Sequence, residues 1–182
     1  MMRIITGTAR GVRLATLPGE DTTRPTTERV KESVFSALQF EIEGRAVLDL
    51  FAGSGQMGLE ALSRGATACT FVDSSKDACD VVRTNAKATR LADRARIVNS
   101  DAQRFCDGCH ERFDVVFLDP PYRAGLLPSL LAVLSPLVRE GGVAVCETDM
   151  TTTLQERYGA LTLEKSKRYG KTQVWFYRRA AS

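Results

Sequence analysis

Acidic residues and glycines follow several short apolar runs of the sequence, at spacings typical of a cofactor site. Residues 49–58 read DLFAGSGQMG and place Gly53, Gly55 and Gly58 where the loop of a dinucleotide-binding unit has its glycines. Asp73 ends the next apolar run about twenty residues later, the position of a carboxylate that binds ribose hydroxyls. The pattern predicts a site for a cofactor that contains a nucleoside. The plain alternative is a tight strand-to-helix turn that binds nothing.

The carboxylate that precedes the glycines distinguishes two classes of cofactor. Nicotinamide and flavin dinucleotides carry a pyrophosphate, which Asp49, four residues before the first glycine, would repel. The ammonium and sulfonium groups of S-adenosyl-L-methionine are positive, so the same carboxylate would attract them. We therefore expect S-adenosyl-L-methionine. A further carboxylate, Asp101, follows the third run; it could accept the adenine amine beside the Ala102 backbone, or equally cap a helix.

A second motif, Asp119-Pro120-Pro121-Tyr122, follows the fourth apolar run. Its prolines fix the backbone, and the Pro120 carbonyl can accept a hydrogen bond. An exocyclic amine on a nucleobase is a weak nucleophile because its lone pair is delocalised into the ring. Acceptors on both N–H bonds, the Asp119 carboxylate and the Pro120 carbonyl, would direct that lone pair at a methyl group, so catalysis would depend on positioning and electrostatics. Tyr122 would stack on the base. The structural alternative is a stiff turn with a capping Asp and a packed Tyr.

The elements that must position these motifs alternate between strand and helix. This alternation predicts βαβ units and a parallel sheet covered on both faces, whose ligands bind beyond the carboxyl ends of the strands. The predicted strands are 46–50, 68–72, 95–98, 113–118 and 143–147, and the predicted helices are 56–64, 75–90, 102–106 and 126–138. A hairpin arm over 3–17 and a helix from Thr26 or Thr27 to about Gln39 come before them, and an antiparallel hairpin of 160–164 with 172–178 closes the chain.

Both ends of the chain are basic and the middle is acidic. The net charge is +3 overall, but it is +3 for residues 1–31, +5 for residues 164–182 and −5 between them. This division indicates that the ends hold a polyanion, although scattered solvated charge is the simpler interpretation. Arg29 and Lys31 are predicted to face solvent on the first helix, where they could contact the same polyanion.

At 182 residues the chain has the length of one domain. We divide it into a basic N-terminal arm, residues 1–24, and a single catalytic domain, residues 25–182. No apolar run is long enough to cross a bilayer and no signal peptide is evident, so we expect a cytoplasmic protein with free thiols. The segment 106–110 matches a haem-attachment signature, CxxCH, but that chemistry belongs to exported proteins. We expect no metal site.

The two motifs together resemble those of the S-adenosylmethionine-dependent methyltransferases, and most of all the bacterial 16S ribosomal RNA guanine-N2 methyltransferases. The resemblance lies in RIITGTARGVRL at 3–14, TRPTTERVKESVF at 23–35, DLFAGSGQMGLEA at 49–61, FVDSS at 71–75 and DPPY at 119–122. It implies a Rossmann-like class I methyltransferase fold of the α/β class. That fold is a mostly parallel, seven-stranded, doubly wound sheet with a C-terminal antiparallel hairpin and a small N-terminal β-hairpin arm.

The resemblance also implies the substrate and a role for each candidate residue. The substrate would be the N2 amine of a guanine in 16S rRNA, in a partly or fully assembled small ribosomal subunit, and the enzyme a monomer. Asp49, Phe51, Gly53 and Gly55 would line the methionine side of the cofactor, Asp73 its ribose, and Asp101 with Ala102 its adenine. Asp119, Pro120 and Tyr122 would hold the guanine, and Arg10, Arg13, Arg24, Arg168 and Lys171 would contact RNA phosphates. Val12, Met57 and Asp73 depart from the residues common in the family, and Val12 leaves the arm with less charge.

Other functions remain open at this stage. The acceptor could instead be adenine N6 or cytosine N4 in DNA, or a protein amide. A non-catalytic RNA-binding assembly factor would keep the fold without needing Asp49, Asp119 and Tyr122. A nicotinamide oxidoreductase is disfavoured because the sequence lacks a Tyr-x-x-x-Lys set or other clear proton donor.

Overall fold

The computed structural model describes residues 1–19, 25–121 and 125–182. In these residues one sheet of eight strands has the order β3-β2-β1-β4-β5-β8-β7-β6. The strands are β1 Ala46–Leu50, β2 Ala68–Asp73, β3 Ala95–Asn99, β4 Phe113–Leu118, β5 Val138–Asp149, β6 Arg157–Tyr158, β7 Leu161–Tyr169 and β8 Thr172–Arg179. The first five are parallel, and β8 joins antiparallel to β5. The mostly parallel sheet and the closing hairpin are confirmed, and the two-residue β6 is an addition to the seven predicted strands.

Helices cover both faces of the sheet, as a doubly wound fold requires. They are α1 Pro25–Ala37, α2 Gln56–Ser63, α3 Lys76–Ala88, α4 Ala102–Gly108 and α5 Leu127–Leu134, with 3-10 turns at Ala92–Arg94 and Ser135–Leu137. α1, α2 and α3 bury apolar side chains such as Phe35, Leu59 and Val82 against one face. α4 and α5 cover the other with Cys106, Leu131 and their neighbours.

Two of the boundaries that differ from the prediction have local reasons. The predicted helix 126–138 ends at Leu134, because Pro136 cannot continue the α-helical hydrogen bonds and a 3-10 turn takes over. β5 begins at Val138 rather than at 143, since it pairs with Phe113 before the register of the two strands shifts. A bulge of this kind is hard to see in sequence, because Gly141 and Gly142 have the composition of a turn.

The N-terminal hairpin is present, as an antiparallel bridge between Arg3 and Arg13. It does not hang free of the domain, because Ile4 and Leu14 are buried in the same apolar layer as α1 and α2. The turn of the hairpin lies over α2, where the Ser63 hydroxyl donates to the Thr6 carbonyl at 2.7 Å.

A buried acidic side chain, Glu60 on α2, holds the arm by its backbone. Its carboxylate accepts from the Ile5 and Thr6 amides at 2.9 and 3.0 Å and from Arg64 Nε at 3.0 Å. Lys31 Nζ lies 3.6 Å from the same carboxylate and donates to the Arg3 carbonyl at 2.6 Å. The prediction that Lys31 faces solvent is therefore wrong: its side chain is 3% exposed. The arm thus covers the part of α1 that the spacing of apolar residues in this helix predicted to be exposed.

Candidate active site

The register of the central strands brings the separate motifs to one edge of the sheet. Leu50 pairs with Val72 on one side and with Leu118 on the other. The residues that follow these three, Phe51, Asp73 and Asp119, therefore emerge side by side from strands about 4.8 Å apart. The glycine loop after β1 thus lies between the predicted ribose carboxylate and the Asp-Pro-Pro motif, the arrangement that the sequence motifs required.

The loop between β1 and α2 has a special backbone. Phe51, Gly53 and Gly55 all have positive φ, at 60°, 57° and 81°. This conformation is uncommon for a side chain such as that of Phe51, and strained backbone of this kind concentrates at functional sites. Gly58 serves the packing instead, because a Cβ there would lie 2.3 Å from the Phe71 ring, so the helix can approach the sheet only with glycine.

Asp49, at the end of β1, is a buried carboxylate beside the loop. Its side chain is 3% exposed, and its Oδ2 accepts from the Gly58 amide at 2.9 Å. Burial raises the pKa of Asp49 to about 7, a rise that the bond from Gly58 opposes and that the charge of Asp73 adds to. A positively charged group placed here would favour the ionised carboxylate.

Asp73 holds the other side of the β1–α2 loop through hydrogen bonds. Its Oδ2 accepts from the Gly53 amide and its Oδ1 from the Ser75 amide, both at 2.9 Å. Each carboxylate oxygen keeps acceptor capacity beyond one such bond. The side chain therefore both fixes the loop and stays able to accept from hydroxyl groups.

Asp101 lies at the end of the segment that follows β3, where it caps α4. Its Oδ1 accepts from the Arg104 amide at 3.0 Å, which is the capping geometry that the sequence left as one of two possibilities. The side chain is exposed, whereas Ala102 is buried. A contact of either residue with adenine stays a prediction.

The Asp-Pro-Pro motif borders a small cavity. Pro120 and Pro121 line it together with Glu147, Thr148 and other residues of the β5 end and the start of α5, and its volume is about 160 Å³. Pockets for drug-sized ligands are commonly about 300–1,000 Å³, so this one has room for a single ring system rather than for a whole nucleotide. Tyr122 and Arg24, two predicted site residues, lie outside the described residues.

A basic groove lies at the same edge of the sheet. β7 runs parallel to β5, and Tyr169 and Asp149 both pair with Thr172, so the β7–β8 turn is at the carboxyl end of β5. The groove, which we call the α1–β7 groove, has a volume of about 590 Å³ and is lined by Arg29, Glu32, Ser33, Ser36, Lys167, Arg168, Tyr169 and Gly170. The groove thus contains three cationic side chains, Arg29, Lys167 and Arg168, and one carboxylate, Glu32.

Two of the other predicted phosphate contacts, Arg10 and Lys171, lie next to this groove. Lys171 is exposed in the β7–β8 turn, and Arg13 is exposed on the arm. Arg10 lines a second cavity of about 220 Å³, whose wall shares Glu32 with the groove. The arm and the C-terminal hairpin, far apart in sequence, therefore both border α1 at Glu32.

Glu147 is a further candidate site residue, and it belongs to none of the sequence motifs. It lies near the end of β5, half-buried, and it lines the cavity beside Pro120. Burial raises the pKa of its carboxyl group. The available signal was a charged residue at the end of an otherwise apolar run, VAVCE at 143–147.

The prediction of free thiols is confirmed for all five cysteines, and burial raises the pKa of Cys106 to about 12. Within the described part of the chain no group of three or more His, Cys, Asp or Glu side chains is placed to hold a metal ion. No helix among these residues has the length and apolar character to span a membrane.

This fold, with a glycine loop after the first strand and an antiparallel strand inserted at β8, is that of the class I methyltransferases. A solved structure from Escherichia coli, "Putative methyltransferase yhhF", superposes with a TM-score of 0.88 at 34% identity and covers 100% of this chain and 99% of its own. Residues 2–178 match the family described as conserved hypothetical protein 95, and the chain belongs to that family.

Two relatives of known name are similar over nearly their whole length. "Putative rRNA methyltransferase YlbH" of Bacillus subtilis is 39% identical over 98% of this chain and 99% of its own. "Ribosomal RNA small subunit methyltransferase D" of E. coli is 35% identical over 99% of this chain and 91% of its own.

Proposed function

We propose that this protein transfers the methyl group of S-adenosyl-L-methionine to the exocyclic N2 amine of a guanine in 16S rRNA of the small ribosomal subunit. The observation that carries the proposal is the register of β1 and β4, which sets the glycine loop and Asp49 beside Asp119 and Pro120. A cofactor loop and an amine-binding motif at one sheet edge are what such a transfer needs. The ribosomal substrate is supported by the names of the relatives, and the guanine N2 acceptor by the resemblance in sequence.

The residues of the loop fit the proposed cofactor. S-adenosyl-L-methionine supplies an electrophilic methyl group on a positively charged sulfur. Asp49 would pair with the ammonium end, because its buried carboxyl group gains most from a positive neighbour. Asp73 would accept from ribose hydroxyls, and Asp101 and Ala102 would lie toward the adenine. Phe51, Gly53 and Gly55 would line the methionine portion.

Activation of the guanine amine depends on protein groups that accept hydrogen bonds from it rather than on a nucleophilic side chain. The Asp119 carboxylate and the Pro120 carbonyl would accept from the two N–H bonds of the guanine N2 amine. The nitrogen lone pair would then form the new N–C bond, the C–S bond would break with its electron pair to sulfur, and the N2 proton would leave to Asp119 or to water. Preorganised acceptors of this kind act through electrostatics and positioning. Tyr122 is predicted to stack on the base.

The RNA would be held by the basic surface around α1. Arg29, Lys167 and Arg168 in the α1–β7 groove, with exposed Arg10 and Lys171 beside it, present positive charge at the catalytic edge. Contacts with phosphates give a sequence-independent grip that weakens with salt. Residues 1–24, including Arg13 and Arg24, would form an RNA-binding extension of the single domain. We place the enzyme in the cytoplasm, where it would meet the small subunit as a monomer.

The experiment that tests the mechanism compares two substitutions of Asp119. Asp119→Ala removes the acceptor, so we expect methyl transfer to small-subunit particles to fall by about 10²–10³-fold, as for loss of one preorganised electrostatic contact. Asp119→Asn keeps a carbonyl acceptor and should retain more activity. Binding of S-adenosylhomocysteine should change little in both. An Asp119→Ala enzyme that keeps most of its turnover would refute the role given to this residue.

A further inference from the structure

Glu147 occupies a position that mirrors Asp119 on the neighbouring strand. Cys146 pairs with Leu118, so Glu147 and Asp119 are the next residues of two adjacent parallel strands. Glu147 also lines the 160 Å³ cavity together with Pro120 and Pro121. A base whose amine contacts Asp119 and Pro120 would therefore have its adjoining edge toward Glu147.

The carboxyl group of Glu147 makes no hydrogen bond or ion pair with the described residues, and burial raises its pKa. Its neighbours in the cavity wall differ in this respect. Thr148 Oγ1 accepts from Trp175 Nε1 at 2.9 Å, and Asp149 Oδ1 accepts from the Thr151 and Thr152 amides at 3.0 and 2.9 Å. A half-buried polar group without such a partner gains from a ligand that supplies one.

Guanine supplies a matching pair of groups. Next to its N2 amine it presents the N1–H donor and then the O6 acceptor, whereas adenine presents an acceptor at N1. A carboxyl group in its protonated form offers one acceptor and one donor side by side. The carboxyl oxygen would accept from N1–H, and the O–H would donate to O6.

We propose that Glu147 is a specificity residue that binds the N1–H and O6 edge of the target guanine and thereby selects guanine over other purines. The proposal rests on the proposed function, because it requires a base amine at Asp119 and Pro120. Glu147 would give the site a second set of hydrogen-bonding groups, contributed by β5.

The test exchanges the protein group and the base group independently. The substrates are two ligated 16S rRNA molecules, assembled into subunit particles, that carry guanine or 2-aminopurine at the methylated position. 2-Aminopurine keeps the exocyclic amine but lacks O6 and the N1 proton. A bidentate contact with a base edge typically contributes about 10- to 100-fold in discrimination, so the wild-type kcat/KM should favour guanine by about that factor.

The variants distinguish recognition from a structural role. Glu147→Leu keeps the bulk of the side chain but removes both hydrogen bonds, so it should lose activity on guanine and show no preference between the two bases. Glu147→Gln offers a carbonyl acceptor and an N–H donor in the same places and should keep the preference. Glu156→Leu, the same substitution at an exposed carboxylate that does not line the cavity, is the matched control and should behave as wild type.

The outcomes separate this proposal from the proposed function. A wild-type enzyme that methylates guanine, together with a Glu147→Leu variant that keeps the guanine preference, would overturn the role of Glu147 alone. A wild-type enzyme that methylates no guanine in these particles would overturn both. Loss of preference in Glu147→Leu, with retention in Glu147→Gln and unchanged S-adenosylhomocysteine binding, is the expected result.

Discussion

The burial of Asp49 predicts that cofactor affinity depends on pH in a defined way. In the free protein burial raises the pKa of Asp49 to about 7, so the carboxyl group is mostly neutral at pH 6. The ammonium group that we propose beside Asp49 in the complex would favour the ionised form and lower that pKa on binding. Binding below pH 7 must therefore release a proton, and the affinity must rise with pH until the carboxyl group of the free protein is ionised.

The size of the effect follows from the pKa. Below pH 7 the affinity should fall about tenfold for each pH unit, so it should be about tenfold lower at pH 6 and about thirtyfold lower at pH 5.5 than on the plateau above pH 7. An α-amino group has a pKa of about 7.7–8.0, so the ligand keeps its charge over the range from pH 5.5 to 7. A change in affinity over this range is then due to a titrating group of the protein rather than of the ligand.

The assay is titration calorimetry with S-adenosylhomocysteine, the stable reaction product, between pH 5.5 and 7. Repeating it at pH 6 in two buffers of different ionisation enthalpy gives the number of protons released, which should be about 0.9 for a group of this pKa. Asp49→Asn should bind weakly and without pH dependence, whereas Asp73→Asn, the control, should bind weakly but keep the slope. A flat wild-type affinity over this range, or an unchanged slope in Asp49→Asn, would refute the reasoning.

Two further predictions concern the arm and the groove. Glu60→Ala should lower the free energy of unfolding by about 3–5 kcal/mol in urea titrations, because it leaves Lys31 buried without its partner and two arm amides without an acceptor. Lys31→Met should cost less, about 1–2 kcal/mol, since Glu60 keeps its other donors; equal losses would contradict this asymmetry. Arg29→Ala combined with Arg168→Ala should lower the slope of log affinity for RNA against log salt concentration by about two, as expected for two lost phosphate contacts. Arg83→Ala, an exposed control on α3, should leave it unchanged.

The central strands could be predicted to the residue, and the reason is local. β1 and β4 are short apolar runs bounded by polar residues, and the observed bounds, Ala46–Leu50 and Phe113–Leu118, match the prediction. The carboxyl ends of parallel strands meet at one edge, so the meeting of the glycine loop with Asp119 also followed from sequence.

What the sequence did not predict depends on contacts between distant segments. The periodicity of α1 showed which face is apolar, but the burial of Lys31 depends on Glu60 and on the arm that covers it. The place of Glu147 beside Pro120 depends on the register of β5 with β4, which no motif encodes. The positive φ of Phe51 likewise arises from the loop as a whole.

The measurement that tests the central claim most directly is methyl transfer from labelled S-adenosyl-L-methionine to small-subunit particles and to 16S rRNA from cells that lack this protein. Nuclease digestion then identifies the labelled nucleoside. We predict label in N2-methylguanosine at a single position, and none with the Asp119→Ala enzyme. Label in another nucleoside, in DNA or in protein would contradict the acceptor, and cofactor binding without any transfer would favour a non-catalytic assembly factor.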